Sequence, residues 1–186
     1  MSVLAVDYRL VPEHTVADAI DDGVDACRWL LDRGVTDIVL AGDSAGGGLA
    51  VSVATRARDD GLPPLAGLVL FSPWARRGPA APAADSFLTP RCIARVLRLC
   101  GAAPGSPDLH DLPPALILAG GRELLAADSH WLAQRFRDAG VSCELQVWPG
   151  QGHVFPLLRA LPESAAALTE VARFLTTRAV EVARRR

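Results

Sequence analysis

The sequence predicts an α/β fold: a parallel, doubly wound sheet of about five strands flanked by helices. Three observations predict it. Short apolar runs alternate with longer stretches whose apolar residues recur every three or four positions, as buried strands interleaved with amphipathic helices require. Glycines follow the helical stretches at Gly34, Gly61 and Gly140, where a left-handed cap would end each helix. One junction between an apolar run and a helical run reads Gly42-Asp43-Ser44-Ala45-Gly46, a serine on a turn expected to be too tight for side chains at Gly42 and Gly46.

Composition narrows the class. The 186 residues, half of them hydrophobic and with a formal net charge of -2, fit one globular domain spanning 1–186 that can bury a core. No charge signature for nucleic acid or an acidic membrane is present. Cys27, Cys92, Cys100 and Cys143 form no Cys-x-x-Cys pair, which argues against a metal site and for reduced thiols in the cytoplasm. The start, Met1 to Asp7, has no basic leader, and its apolar run is too short for a signal peptide or membrane span.

The elements follow in order. Val3 to Asp7 is a short apolar run expected to be a strand buried on both faces. Ile20, Val24, Cys27 and Leu31 mark one face of a helix from Val16. The strand through Ile38 to Ala41 hands over at Ser44 to a helix running to Arg58, and Leu68 to Phe71 is the next strand, ending at Ser72-Pro73. Residues 73–113 are rich in Pro, Ala and Gly, with one helix expected from about Pro90 to Cys100. Pro113-Pro114 introduces a strand over Ala115 to Ala119, followed by a helix from Ala127 to Ala139 that carries Trp131, Leu132 and Phe136. Cys143 to Trp148 alternates enough to be an edge strand. A last helix follows Pro162, with Leu168, Val171, Leu175 and Ala179 on its buried stripe and a basic tip, Arg184-Arg185-Arg186, that complements the helix C-terminus.

A strand-to-helix turn exposes the Ser44 hydroxyl and leaves the Ala45 backbone N–H at a helix N-terminus, where it would bind a developing oxyanion. Serine is a poor nucleophile until a base takes its proton, and histidine suits that role near neutral pH. Of His14, His110, His130 and His153, only His153 lies in a glycine-rich loop directly after a strand. Loops after parallel strands gather on one edge of the sheet, which puts His153 on the same rim as Ser44. The third member of such a set orients the imidazole and offsets its charge. The loop after the fourth strand offers Glu123, immediately past the strand, and Asp128, in the first turn of the next helix; position favours Glu123, with Asp128 the alternative acid and Asp111 a more distant one.

Gly42-Asp43-Ser44-Ala45-Gly46-Gly47, Asp7-Tyr8-Arg9-Leu10 with Pro12-Glu13-His14, Ser72-Pro73-Trp74 and Trp148-Pro149-Gly150 through His153-Val154-Phe155 together resemble the hormone-sensitive-lipase-like branch of the α/β-hydrolases. The resemblance runs over most of the chain. It implies hydrolysis of small-molecule carboxylic esters without cofactor or metal, with Ser44 as nucleophile, His153 as base and Glu123 where the family has Asp or Glu. Tyr8, Arg9 and Glu13 would be supporting residues; core packing and turn formation explain them equally well.

The chain also departs from that family. The family's His-Gly-Gly-Gly motif, whose N–H groups form most of the oxyanion hole, does not occur in the sequence, nor does the usual Asp-Leu after Ser72-Pro73-Trp74, and Ala127 replaces a second acid. By family topology the strand bearing the missing motif lies between the Val3–Asp7 strand and the nucleophile strand. The chain therefore reads as the C-terminal portion of an esterase, its rate impaired by a lost oxyanion loop. The alternative is a non-catalytic remnant or association module, and an uncovered sheet edge would favour homo-oligomers.

Overall fold

The structure, a computed structural model, describes residues 2–75, 85, 87–100 and 107–183. Helix α1 (Val16–Leu31) precedes strand β1 (Val39–Asp43), helix α2 (Ala45–Asp59) and strand β2 (Gly67–Phe71). Helix α3 (Pro90–Cys100), strand β3 (Ala115–Gly120), helix α4 (Ala126–Asp138), strand β4 (Cys143–Trp148) and helix α5 (Pro162–Ala183) complete the order. A single turn of 3-10 helix, Phe155–Leu157, lies between β4 and α5. The basic tip Arg184-Arg185-Arg186 lies outside the described residues.

Among the described residues the sheet has four parallel strands in the order β1-β2-β3-β4. The strand period of two divides the apolar side chains between its faces. Leu68, Leu70 and Ile117 pack under α2 and α4 with Val51, Ala54, Leu132 and Phe136. Val69, Leu116 and Leu118 meet Phe155 and, from α5, Ala167 and Phe174 on the opposite face. Both faces of the centre are covered, so β3 can read Ala-Leu-Ile-Leu-Ala-Gly and be buried at every residue. Helix α1 lies outside α2, with Val24 and Cys27 against Val53. Its start is a capping box, in which Asp18 N–H donates to Thr15 Oγ1 at 3.2 Å and Thr15 N–H to Asp18 Oδ2 at 2.7 Å. Gly34, Gly61 and Gly140 take the positive φ expected of helix-ending glycines.

Three expectations are corrected. The run Val3 to Asp7 forms no strand: Val3 is 91% exposed, and Leu4 and Val6 are also open to solvent. A lone extended segment has no stability without a neighbour to take its backbone groups, and the outer edge of β1 has no paired strand among the described residues. The two segments therefore do not pair directly, and the sheet has four strands among the described residues. The stripe of α5 is also rotated from its expected position. Ala167 and Phe174 are its buried members and Val171 and Leu175 are partly buried, whereas Leu168 and Ala179 face solvent. Third, Gly46 stands in open space: a Cβ there would meet nothing within 4 Å.

Every β-strand runs the same way, so the segments following β1, β2, β3 and β4 all emerge on one edge. The register sets Asp43 beside Phe71, Phe71 beside Leu118 and Gly120 beside Trp148, which levels the four exits.

Candidate active site

Each of the four exits sends a polar side chain to this edge. Ser44 follows β1 in a strained conformation, φ 52° and ψ −118°, which a β-carbon tolerates only when its surroundings hold it. They do: Ser44 N–H donates to Phe71 O at 2.9 Å, and Ser44 O accepts from Trp74 N–H at 2.8 Å and Gly47 N–H at 3.1 Å. The turn depends on close backbone approach. A Cβ on Gly42 would lie 2.2 Å from Gly46 O and one on Gly48 2.2 Å from Trp74 O. The glycines required sterically are thus Gly42, Gly47 and Gly48, the last two because Pro73-Trp74 crosses over them, and not Gly46.

His153 Nε2 lies 2.9 Å from Ser44 Oγ, and the ring is 4% exposed. Glu123, 2% exposed, presents Oε2 to the other ring nitrogen, Nδ1, at 3.5 Å. That is an ion-pair distance, longer than an N–H···O hydrogen bond, and both Nδ1 and Glu123 Oε1 lack a hydrogen-bond partner among the described residues. The two loops are tied by backbone: Arg122 N–H donates to Gln151 O at 3.0 Å and Gly121 N–H to Trp148 O at 2.9 Å. Of the candidate acids, Glu123 is the one that faces the ring. Asp128 is buried in the first turn of α4, where its N–H bonds Leu125 O, and Asp111 precedes β3, beside Leu112 and Pro113. His110 pairs with Asp108, and His14 and His130 are exposed.

Two polar residues at the site had no role in the sequence reading. Ser72, at the exit of β2, is completely buried and has φ 47°. Its hydroxyl donates to Glu123 Oε2 at 2.6 Å and accepts from Val154 N–H at 3.0 Å. A polar residue ending an apolar parallel strand was the available signal, since such a position faces the edge where loops converge. The other is Asp85, which precedes α3 in the chain and whose Oδ2 accepts from Leu124 N–H at 2.9 Å. Its Oδ1 accepts from Phe87 and Leu88 N–H. Burial pushes the Asp85 carboxyl up, but donation from Leu124, Leu88 and Phe87 and the nearby His153 outweigh that and hold it below the usual carboxylate range. No local pattern marks a single Asp at this position.

Ala45 opens α2 and its N–H has no acceptor among the described residues. Beside it lies a cavity of about 460 Å³, lined by Ala45, Gly48, Trp74, Leu97, Trp131 and Tyr8. Arg9 also borders it, with its guanidinium held by Asp22 at 2.7–3.0 Å and by Asp18 at 3.4 Å. Glu13 is exposed.

The family described as an alpha/beta hydrolase fold matches residues 1–157. The chain is 39% identical, over 93% of its length, to the carboxylesterase/phospholipase LipF of Mycobacterium tuberculosis, and covers 52% of that protein. It is 36% identical to the esterase LipU of the same organism, covering 66% of it. Among solved structures, EstE5 superposes with a TM-score of 0.88 at 36% identity, over 92% of this chain and 64% of that one. A hormone-sensitive lipase from a metagenome library gives a TM-score of 0.86 at 36% identity, over 92% and 65%. The chain thus spans between half and two-thirds of the length of these relatives.

Proposed function

Because the chain belongs to the α/β-hydrolase family, in its hormone-sensitive-lipase-like branch, we propose that it carries the acyl-transfer centre of a serine carboxylesterase. The observation that supports this most is the 2.9 Å contact between Ser44 Oγ and His153 Nε2, backed by the buried Glu123. His153 Nε2 takes the hydroxyl proton as Ser44 Oγ attacks the ester carbonyl, and Glu123 faces the positive charge that develops on the ring. Collapse of the tetrahedral intermediate breaks the bond to the alcohol oxygen, which leaves with the proton from Nε2. Water then enters, gives its proton to the same nitrogen, and releases the acid and the free serine.

The neighbouring cavity, mostly apolar at its walls, suits the hydrocarbon part of a small ester. The oxyanion would receive the Ala45 N–H. Loss of one such donor costs about 10² to 10³ in rate, so without a His-Gly-Gly-Gly loop this chain turns over slowly.

No described helix is long and apolar enough to cross a membrane. No disulfide joins the described cysteines, which suits a reducing compartment, and we place the protein in the cytoplasm.

The test compares hydrolysis of a short-chain p-nitrophenyl ester by the chain and by Ser44→Ala. The expected outcome is a rate above background that disappears in the variant, together with labelling of Ser44 by an alkyl fluorophosphonate. Equal rates and no labelling would overturn the proposal. They would favour a second reading, an association module, for which the outer edge of β1, unpaired among the described residues, speaks.

A further inference from the structure

We infer that Ser72 is a positioning residue that clamps the acid loop to the histidine loop, an inference that rests on the hydrolase reading of Ser44, His153 and Glu123. The hydroxyl has one proton, and it goes to Glu123 Oε2 at 2.6 Å. One of its lone pairs accepts the N–H of Val154, the residue directly after His153, at 3.0 Å. A single atom thus joins the loop after β3 to the loop after β4, from a position at the exit of β2. Ser72 is itself held, since its N–H donates to Leu118 O at 2.7 Å and its side chain is fully buried.

The contact chooses between the two oxygens of the carboxylate. Oε2 is the oxygen nearest His153 Nδ1, at 3.5 Å, and it is the one Ser72 holds, while Oε1 has no partner among the described residues. A neutral imidazole that accepts the serine proton at Nε2 carries its own proton on Nδ1, so the ring N–H and the Ser72 hydroxyl converge on one oxygen. The carboxylate cannot rotate away from the ring without breaking a charge-assisted hydrogen bond, and Val154 would lose its acceptor as well. Backbone strain is further support for a functional placement: φ is 47° at Ser72 and 49° at Val154, a region that serine and valine rarely adopt.

That strain supplies a discriminating variant. Ser72→Gly removes the hydroxyl but relieves the positive φ, so a purely structural role would leave the glycine variant working. Ser72→Cys keeps the size with a weaker donor. The full chain, Ser44→Ala and both Ser72 variants are compared in p-nitrophenyl ester hydrolysis, thermal unfolding and the low-field NMR resonance of the His153 Nδ1 proton. For Ser72→Gly we expect kcat to fall about 10- to 100-fold with KM unchanged, as for loss of one hydrogen bond to a buried charge. The melting temperature falls only modestly, because relief of the positive φ offsets part of the loss of the two hydrogen bonds, the low-field resonance is lost to exchange, and Ser72→Cys falls between.

If Ser44→Ala abolishes turnover while Ser72→Gly stays within about twofold of the parent kcat and keeps the resonance, the clamp is wrong and the hydrolase reading survives. If Ser44→Ala leaves the rate unchanged, the hydrolase reading fails. The resonance still decides the clamp in that case: its persistence in Ser72→Gly overturns it.

Discussion

At the scale of single residues, the site is a set of steric exclusions as much as of polar contacts. Gly42 has Gly46 O 2.2 Å from where its Cβ would be, and that neighbour is backbone, which cannot swing aside. Gly46, four residues later, faces nothing within 4 Å and sits in the first turn of α2. The two flanking glycines of one motif therefore differ physically. Gly42→Ala is expected to destabilise the chain by about 1–3 kcal/mol or more through overpacking. Gly46→Ala is expected to be neutral or to stabilise by up to about 1 kcal/mol, since alanine is the better helix former. Urea unfolding of the two variants checks the difference, and equal losses would contradict it. From the letters alone both glycines looked alike; only the approach of Gly46 O to Gly42, and the path of Pro73-Trp74 across Gly47 and Gly48, show which glycines the turn needs.

At the scale of elements, the segment leading into α3 is attached to the site through Asp85. Its carboxylate accepts the N–H of Leu124, next to Glu123, as well as Phe87 and Leu88. The folded-state pKa of Asp85 is depressed, so its contribution to stability is present above the unfolded value of about 3.9 and is lost as pH falls through the lower folded value. Asp85→Asn should therefore be less stable than the parent at neutral pH, and the gap should close as pH drops below about 4. Unfolding measured across that range checks the sign: a gap that is constant or widens in acid would refute it. The helices and the four strands of the sheet were legible in the chain because their apolar residues recur regularly and glycines end α1, α2 and α4. Val3 to Asp7 was misread because an apolar run declares only that it wants burial; a strand also needs a neighbour, and none pairs with it among the described residues.

At the scale of the whole molecule, a parallel sheet has one functional edge, and here every exit delivers a polar residue to it: Ser44, Ser72, Glu123 and His153 from β1, β2, β3 and β4 in turn. The cost of this architecture falls on the outer side of β1, whose backbone has no paired strand among the described residues. Unpaired strand edges recruit other strands, so light scattering is expected to show concentration-dependent self-association. Ala41→Lys, at an exposed position of β1, should reduce it, because an edge lysine would have to be desolvated for a second strand to dock. A chain that stays monomeric at all concentrations would count against an accessible edge.

The amino-acid order alone determined the layered α/β class, the turn that presents Ser44, and the rim shared by Ser44 and His153, because strand direction and element order follow from local periodicity and caps. Only the tertiary structure decided that Glu123 rather than Asp128 faces the ring and that Ser72 and Asp85 join the site. Those outcomes depend on distances between atoms far apart in the chain, such as Ser72 Oγ and Glu123 Oε2 at 2.6 Å, and packing of the intervening elements sets such distances, which no local pattern encodes.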